Sequence, residues 1–228
     1  MSCKWQYVRG AIAWLATSWL KSERFFQFDG HQFEYVDRIY NFTPFNERRV
    51  EIPIMQYELA KHRDEKVLEV GNVLSHYMFI RHHVIDKYEK SSLLCFENAD
   101  AATYTSTQKH DLIISISTME HVGWDESPME PSRGESALKN LMGLLEPDGA
   151  LICSFPMGYN SWLDDLVLNR KMPFKKIRYL QRISWRNEWV EIDSPLGSTM
   201  RFGYPYPFAN ILCLFWLGSA LLDKSHAG

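Results

Sequence analysis

Glu120 and His121 stand together in Asp111-Leu-Ile-Ile-Ser-Ile-Ser-Thr-Met-Glu-His-Val-Gly-Trp-Asp125, just past an apolar run that opens on an acid. An imidazole, with an ordinary pKa of about 6.5, is well matched to taking a proton near neutral pH. Glu120 or Asp125 could orient it. The competing reading is a structural histidine bonded to backbone at the end of a strand. One carboxylate and one imidazole make a poor cage for a hard cation, so no metal is expected. Further polar groups end other apolar runs: Glu69 and Gly71 around Val67–Val70, Asp86 after Val84-Ile85, and Asn98 and Asp100 after Leu93-Leu-Cys-Phe96. A carboxylate such as Asp86 can accept two hydrogen bonds from ribose hydroxyls; its plainer role is a helix N-cap.

The elements that must carry these groups follow from periodicity. Apolar runs over 67–70, 83–86, 93–96, 111–116 and 149–155 read as buried parallel strands. Between the last two, Ala137, Leu138, Leu141, Leu144 and Leu145 form one helical face within 132–145, which Glu146-Pro-Asp-Gly149 ends with turn chemistry. Such alternation predicts an α/β, Rossmann-like doubly wound sheet, whose ligands gather at the carboxyl ends of the strands. Segments 177–183, 188–192 and 210–216 read as an antiparallel edge. Ahead of the sheet, residues 5–22 read as an amphipathic helix, 25–36 as a hairpin around Asp29-Gly30, and 54–62 as a helix. The expected division is an N-terminal cap over 1–62 and a core over 63–228.

Composition bounds the rest. The 228 residues are 46% hydrophobic and 23% charged with net charge −3, which gives no global pull towards nucleic acid or an anionic membrane. Four cysteines without a CxxC pair fit a reducing cytoplasm. No apolar stretch reaches the ~20 residues of a membrane-spanning helix.

Taken together, Val67-Leu-Glu-Val-Gly71, Val84-Ile-Asp86, Asn98 to Asp100 and the Glu120-His121 stretch resemble the class I S-adenosylmethionine-dependent methyltransferases over residues 64–160. The resemblance implies a seven-stranded sheet of methyltransferase type. It also implies S-adenosylmethionine as cofactor, held by Glu69, Gly71, Asn72, Asp86, Lys87, Asn98, Asp100 and Ser117. His121, Glu120 and Asp125 would be catalytic, and Trp124, Tyr159 and Asn160 would meet a small-molecule acceptor, anionic or sugar-containing, at a hydroxyl. Only the first glycine of the usual turn is present, since Asn72 and Val73 follow Gly71; a dinucleotide pyrophosphate would suffer most from that loss. In quinone-biosynthesis O-methyltransferases a similar Glu-His pair lies beside the substrate, but here Ser117-Thr118 replaces an upstream acid. The alternative is a binding or scaffold protein whose cofactor turn has decayed.

Two charged stretches stand apart. Glu47, Arg48, Arg49 and Glu51 read first as a solvated face, with a cluster at the cofactor mouth as the second reading. Seven basic residues and no acids between Arg170 and Arg186 read as a solvated strand face, or else as a dock for an anionic group.

Overall fold

Period-two alternation sets the layers of the sheet. In the strand His110–Ile116, Leu112, Ile114 and Ile116 pack into the core on one face and Ile113 into the core on the other. A computed structural model describes residues 23–63 and 65–219 of the chain. The helix expected over 5–22 lies outside the described residues.

The first hairpin is β1 (Phe25–Phe28) and β2 (His31–Glu34), followed by helix α1 (Arg48–Lys61). The main sheet is built from β3 (Val67–Val70), β4 (His83–Asp86), β5 (Phe96–Asn98), β6 (His110–Ile116), β7 (Leu145–Pro156), β8 (Phe174–Arg182), β9 (Trp189–Ile192) and β10 (Ile211–Gly218). Their spatial order is β5-β4-β3-β6-β7-β10-β8-β9. Strands β3 to β7 pair in parallel, while β10, β8 and β9 add antiparallel. The chain runs outward through β4 and β5, then returns to set β6 on the other side of β3. That reversal is a topological switch point, and Gly71 and Ser117 follow the two strands that flank it. The fold is therefore the mostly parallel, Rossmann-like doubly wound sheet expected, with eight strands rather than seven because β9 adds beyond β8.

Helix α1 covers one face, burying Val50, Ile52, Ile54 and Met55 in the core that Val67, Val84, Leu112 and Ile114 share. Helices α2 (Arg133–Gly143) and α3 (Ser161–Leu168) cover the other, with Ala137, Leu138, Leu141, Leu163, Leu166 and Val167 in one core with Ile113, Leu151 and Phe155. Each buried leucine contributes about 1.5–3 kcal/mol of transfer free energy, which holds these short helices in place.

Several expectations shift. Helix α1 starts at Arg48 rather than Ile54 and runs through Pro53. Proline lacks the N–H that would bond the Arg49 carbonyl, and Val36 N–H takes that carbonyl instead at 3.1 Å, tying the end of the hairpin to the helix. Phe26, Phe28, Phe33 and Tyr35 share the α1 core. The hairpin tip sits at the β8–β9 edge, where Asp29 pairs with Lys176 and Arg178 and its N–H donates to Glu191 at 2.8 Å. The hairpin thus lies away from the β4 and β5 strand ends. Strand β5 begins at Phe96, three residues later than expected, so Asn98 lies within it. Glu146 to Gly149 fall inside β7, where the pairing with β6 jumps from Leu145 to Ala150 and the turn residues bulge outward. Helix α3 has an N-cap signal the sequence reading passed over: the Asn160 side chain accepts from Trp162 N–H and Leu163 N–H. The solvated reading of Glu47, Arg48, Arg49 and Glu51 is overturned, because Glu47, Arg49 and Glu51 are buried. Among the described residues no helix is long and apolar enough to cross a membrane.

Candidate active site

The turn after β3 is built by its own acid. Glu69, fully buried, accepts from Val73 N–H at 2.9 Å and Leu74 N–H at 2.8 Å through Oε1, while Oε2 lies 2.7 Å from His82 Nε2. Its capacity goes to shaping the turn. Gly71 has φ +85, and a Cβ there would lie 2.1 Å from Thr118 Oγ1, so the two flanks of the switch point meet closely. Beside this turn, Asp86 accepts from Tyr88 and Glu89 N–H groups through Oδ1, both at 2.8 Å. Its Oδ2 takes a long bond, 3.3 Å, from Asn72 N–H. Asn72 donates its side-chain amide to Glu89, and Asn98 donates to the carbonyls of Asp86 and Glu89. Asn98 is a strut.

A cavity of about 200 Å³ opens here, lined by Asp86, Asn72, Arg48, Tyr40, His76 and Tyr77 among others. Tyr40 and Asn41 close one side of it: the Tyr40 ring stacks on His76 at 4.8 Å, and behind them the Thr43 and Tyr77 hydroxyls lie 2.6 Å apart. A groove of about 500 Å³ lies between the end of α1 and residues 78–82, but it borders Val67, at the opposite end of β3.

Beneath the cavity lies a knot of buried charge. Arg48 pairs with Glu51 at 2.7 Å and reaches the Ser117 carbonyl at 3.4 Å; Ser117 Oγ donates to Glu51 at 2.6 Å. Ser117 is thus turned towards α1. Burial would lower the Arg48 pKa, but Glu51, Glu47 and Glu120 together raise it. Burial pushes Glu47 up, with Glu51 adding to it. Burial also drives Glu120 well above the ordinary carboxylate range, and Glu51 and Glu47 reinforce the rise while Arg48 opposes it. Its Oε2 is buried without a hydrogen-bond partner among the described residues.

On the adjoining strand ends, His121 Nδ1 lies 2.5 Å from Asp125 Oδ2, which also accepts the Tyr159 hydroxyl at 2.7 Å. Burial alone would raise Asp125, but the bonds from His121 and Tyr159 hold it below its usual value; it is the ionised acceptor. The Tyr159 phenol, half-buried and bonded to that carboxylate, rises to about 12. His121 Nε2 faces Glu120 Oε1 at 3.6 Å, beyond hydrogen-bonding range. Asp125, and not Glu120, therefore orients the imidazole. Trp124 is half-buried, its N–H on the His121 carbonyl. Asn160 is buried: it caps α3 and donates to the Glu120 carbonyl at 2.8 Å, so it holds position instead of facing open space.

Asp100 has a different environment. Its Oδ2 lies 2.6 Å from Arg133 and 2.9 Å from Lys87, and its Oδ1 accepts from Ala102 N–H. Burial would raise its pKa, yet the two cations bring it to about 2. Lys87 also meets Glu126 at 2.7 Å. The sequence-derived set thus divides into the Asn72–Asp86 pocket, the His121–Asp125–Tyr159 group and the Lys87–Asp100 pair. Arg48, Glu51, Thr118, Tyr40, Arg133 and Glu126 complete these groups and were not singled out as site residues. Arg48 and Glu51 had a signal, a charged pair at three-residue spacing, and the second reading of that stretch, a cluster at the cofactor mouth, named both. Among the described residues no group of three or more His, Cys, Asp or Glu side chains converges as a metal cage.

Comparison with models of protein families finds no match, and comparison with curated proteins finds none. Among solved structures, the N-methyltransferase NodS from Bradyrhizobium japonicum WM9 with S-adenosyl-L-homocysteine is 14% identical, covering 76% of this chain and 87% of its own at a TM-score of 0.49. The methyltransferase domain of bacterial CtHen1 is 14% identical over 72% of this chain and 96% of its own, with a TM-score of 0.42. The sugar N-methyltransferase KedS8 from Streptoalloteichus sp. ATCC 53650 is 11% identical over 64% and 61%, with a TM-score of 0.38. At these values the chain's fold stands on its own strand order, and no acceptor or site residue is carried over.

Proposed function

We propose that this chain is an S-adenosylmethionine-dependent methyltransferase acting on a hydroxyl of a small, anionic or sugar-containing molecule. The observation that carries the reading is the juxtaposition of Asp86 and Asn72, from the turn after β3, in one cavity at the switch point, where ligands of open α/β sheets bind. Asp86 Oδ2 has a single long bond among the described residues, so it retains capacity for a ribose hydroxyl. Asn72, Gly71 and Arg48 would hold the rest of the cofactor, which supplies an electrophilic methyl group.

The chain's own residues would do the following. Asp125 fixes the proton of His121 on Nδ1, and Tyr159 donates its hydroxyl to the same Asp125 oxygen, Oδ2. This leaves Nε2 as the free base to take the acceptor proton. Positioning and exclusion of water supply most of the rate in such a displacement.

A second reading, a binding protein with a decayed cofactor site, is favoured by two features. The cavity is smaller than the roughly 300–1,000 Å³ of ordinary ligand sites, and Thr118 closes against Gly71. Equilibrium dialysis with radiolabelled S-adenosylmethionine, followed by transfer assays against a panel of hydroxylated sugars and phenols, separates the two. Cofactor retention with label transfer supports the enzyme. Retention without transfer to any acceptor favours the binding protein.

A further inference from the structure

Away from the carboxyl ends of the strands, the groove of about 500 Å³ between the end of α1 and residues 78–82 is built differently from the cavity at Asp86. Its volume falls within the roughly 300–1,000 Å³ of small-molecule sites. Leu59, Ala60, Val67 and Ile80 give it apolar walls. Gln56 in α1 donates its side-chain amide to Met78 Sδ at 3.6 Å and joins the two sides. Phe79 lines the groove while 80% exposed. A ring so placed gains free energy on contact with an apolar ligand.

The charges around this groove are unbalanced. Arg63 enters from the turn after α1, and Arg81 from the segment ahead of β4. Among the described residues neither guanidinium has an ion pair or a hydrogen bond. Arg81 lies over the Phe79 ring at 5.6 Å, which keeps its planar fork beside the apolar surface. Glu65 is the one carboxylate among the described lining residues, and it is paired with His62. His82 is committed as well: its Nε2 lies 2.7 Å from Glu69 Oε2, so it serves the turn after β3. Apolar walls beside two guanidiniums without protein partners suit an anion carried on an apolar body. We propose that this groove is a second ligand site, which takes a small apolar carboxylate with Arg63 and Arg81 as its anion-binding groups. The hydrocarbon lies against Leu59, Ile80 and Phe79. The groove borders the amino-terminal end of β3, so the proposal stands or falls apart from the cofactor reading.

Titration of the nitrogen-15-labelled full chain with sodium octanoate, followed by amide NMR, tests the site, with octan-1-ol as the uncharged probe. The wild type should show saturable shifts within residues 59–67 and 78–82, and octan-1-ol should bind roughly ten-fold more weakly. Arg63→Gln and Arg81→Gln in one chain should weaken octanoate roughly ten-fold and leave octan-1-ol little changed. Both side chains are exposed, so the variant keeps its fold. Rising salt should weaken octanoate as well. Absence of saturable binding at millimolar octanoate overturns the proposal, as do shifts confined to Asn72 and Val73. Octanoate that binds no better than octan-1-ol, or equally well to the double variant, overturns it too and leaves an apolar groove without an anion site.

Discussion

Asp125 Oδ2 sits 2.5 Å from His121 Nδ1 while the two side chains are about half exposed, a short bond on an open surface. The carboxylate is held ionised by its partners, so Nδ1 must carry the ring proton. In the neutral imidazole of the wild type, nitrogen-15 NMR should find the proton on Nδ1. Asp125→Ala should release that preference while costing under about 1 kcal/mol of stability, as exposed pairs do. A wild-type ring protonated on Nε2 would remove the base assignment.

Arg48 lies amid Glu47, Glu51 and Glu120 in a buried knot and pairs directly with Glu51. Arg48→Met should cost about 3–5 kcal/mol in urea unfolding, since Glu51 keeps a buried charge without its partner. Adding Glu51→Gln should recover a large part of the loss. Equal unfolding midpoints for wild type and Arg48→Met would show the knot to be solvated.

At the switch point, Gly71→Ala should destabilise by roughly 2–4 kcal/mol, combining a left-handed φ with overlap on Thr118. Thr118→Ala in the same chain should restore part of it, because Oγ1 and Cγ2 of Thr118 make two of the three closest approaches. Simple additivity of the two substitutions would contradict the contact.

Asp164 in α3 gives a pH-dependent test. Burial raises its pKa to about 6, with the Gly158 N–H pulling the other way. A carboxyl raised above its unfolded value binds more protons when folded. The native state therefore loses stability as pH climbs from about 4 to about 6, and stays lower above that. Asp164→Asn keeps an acceptor for Gly158 and should be about 1–3 kcal/mol more stable than wild type near pH 8, with the gap closing near pH 4. A gap independent of pH would place Asp164 in contact with water.

The strands were legible because their apolar runs are continuous and end in polar residues, as in Val67–Gly71 and Val84–Asp86. Helix α2 was legible through its leucine spacing. Helix α1 was read too short because Pro53 looks like a boundary; only the tertiary bond from Val36 to Arg49 shows why it is tolerated. The Glu47–Glu51 segment was misread because its charges resemble a wet surface until α1 is docked against the Ser117 strand end. The pairing of Asp100 with Arg133 spans 33 residues and leaves no local trace. Asn160 had a cap signature that was assigned to the acceptor instead.

The central claim is that the cavity at Asp86 takes an adenosyl cofactor, and direct titration of wild type and Asp86→Ala with S-adenosylhomocysteine tests it most plainly. The account predicts saturable one-to-one binding by the wild type, weakened roughly ten-fold or more by Asp86→Ala, with the variant still folded. Absence of binding by the wild type at millimolar ligand, across low and high salt, would contradict it.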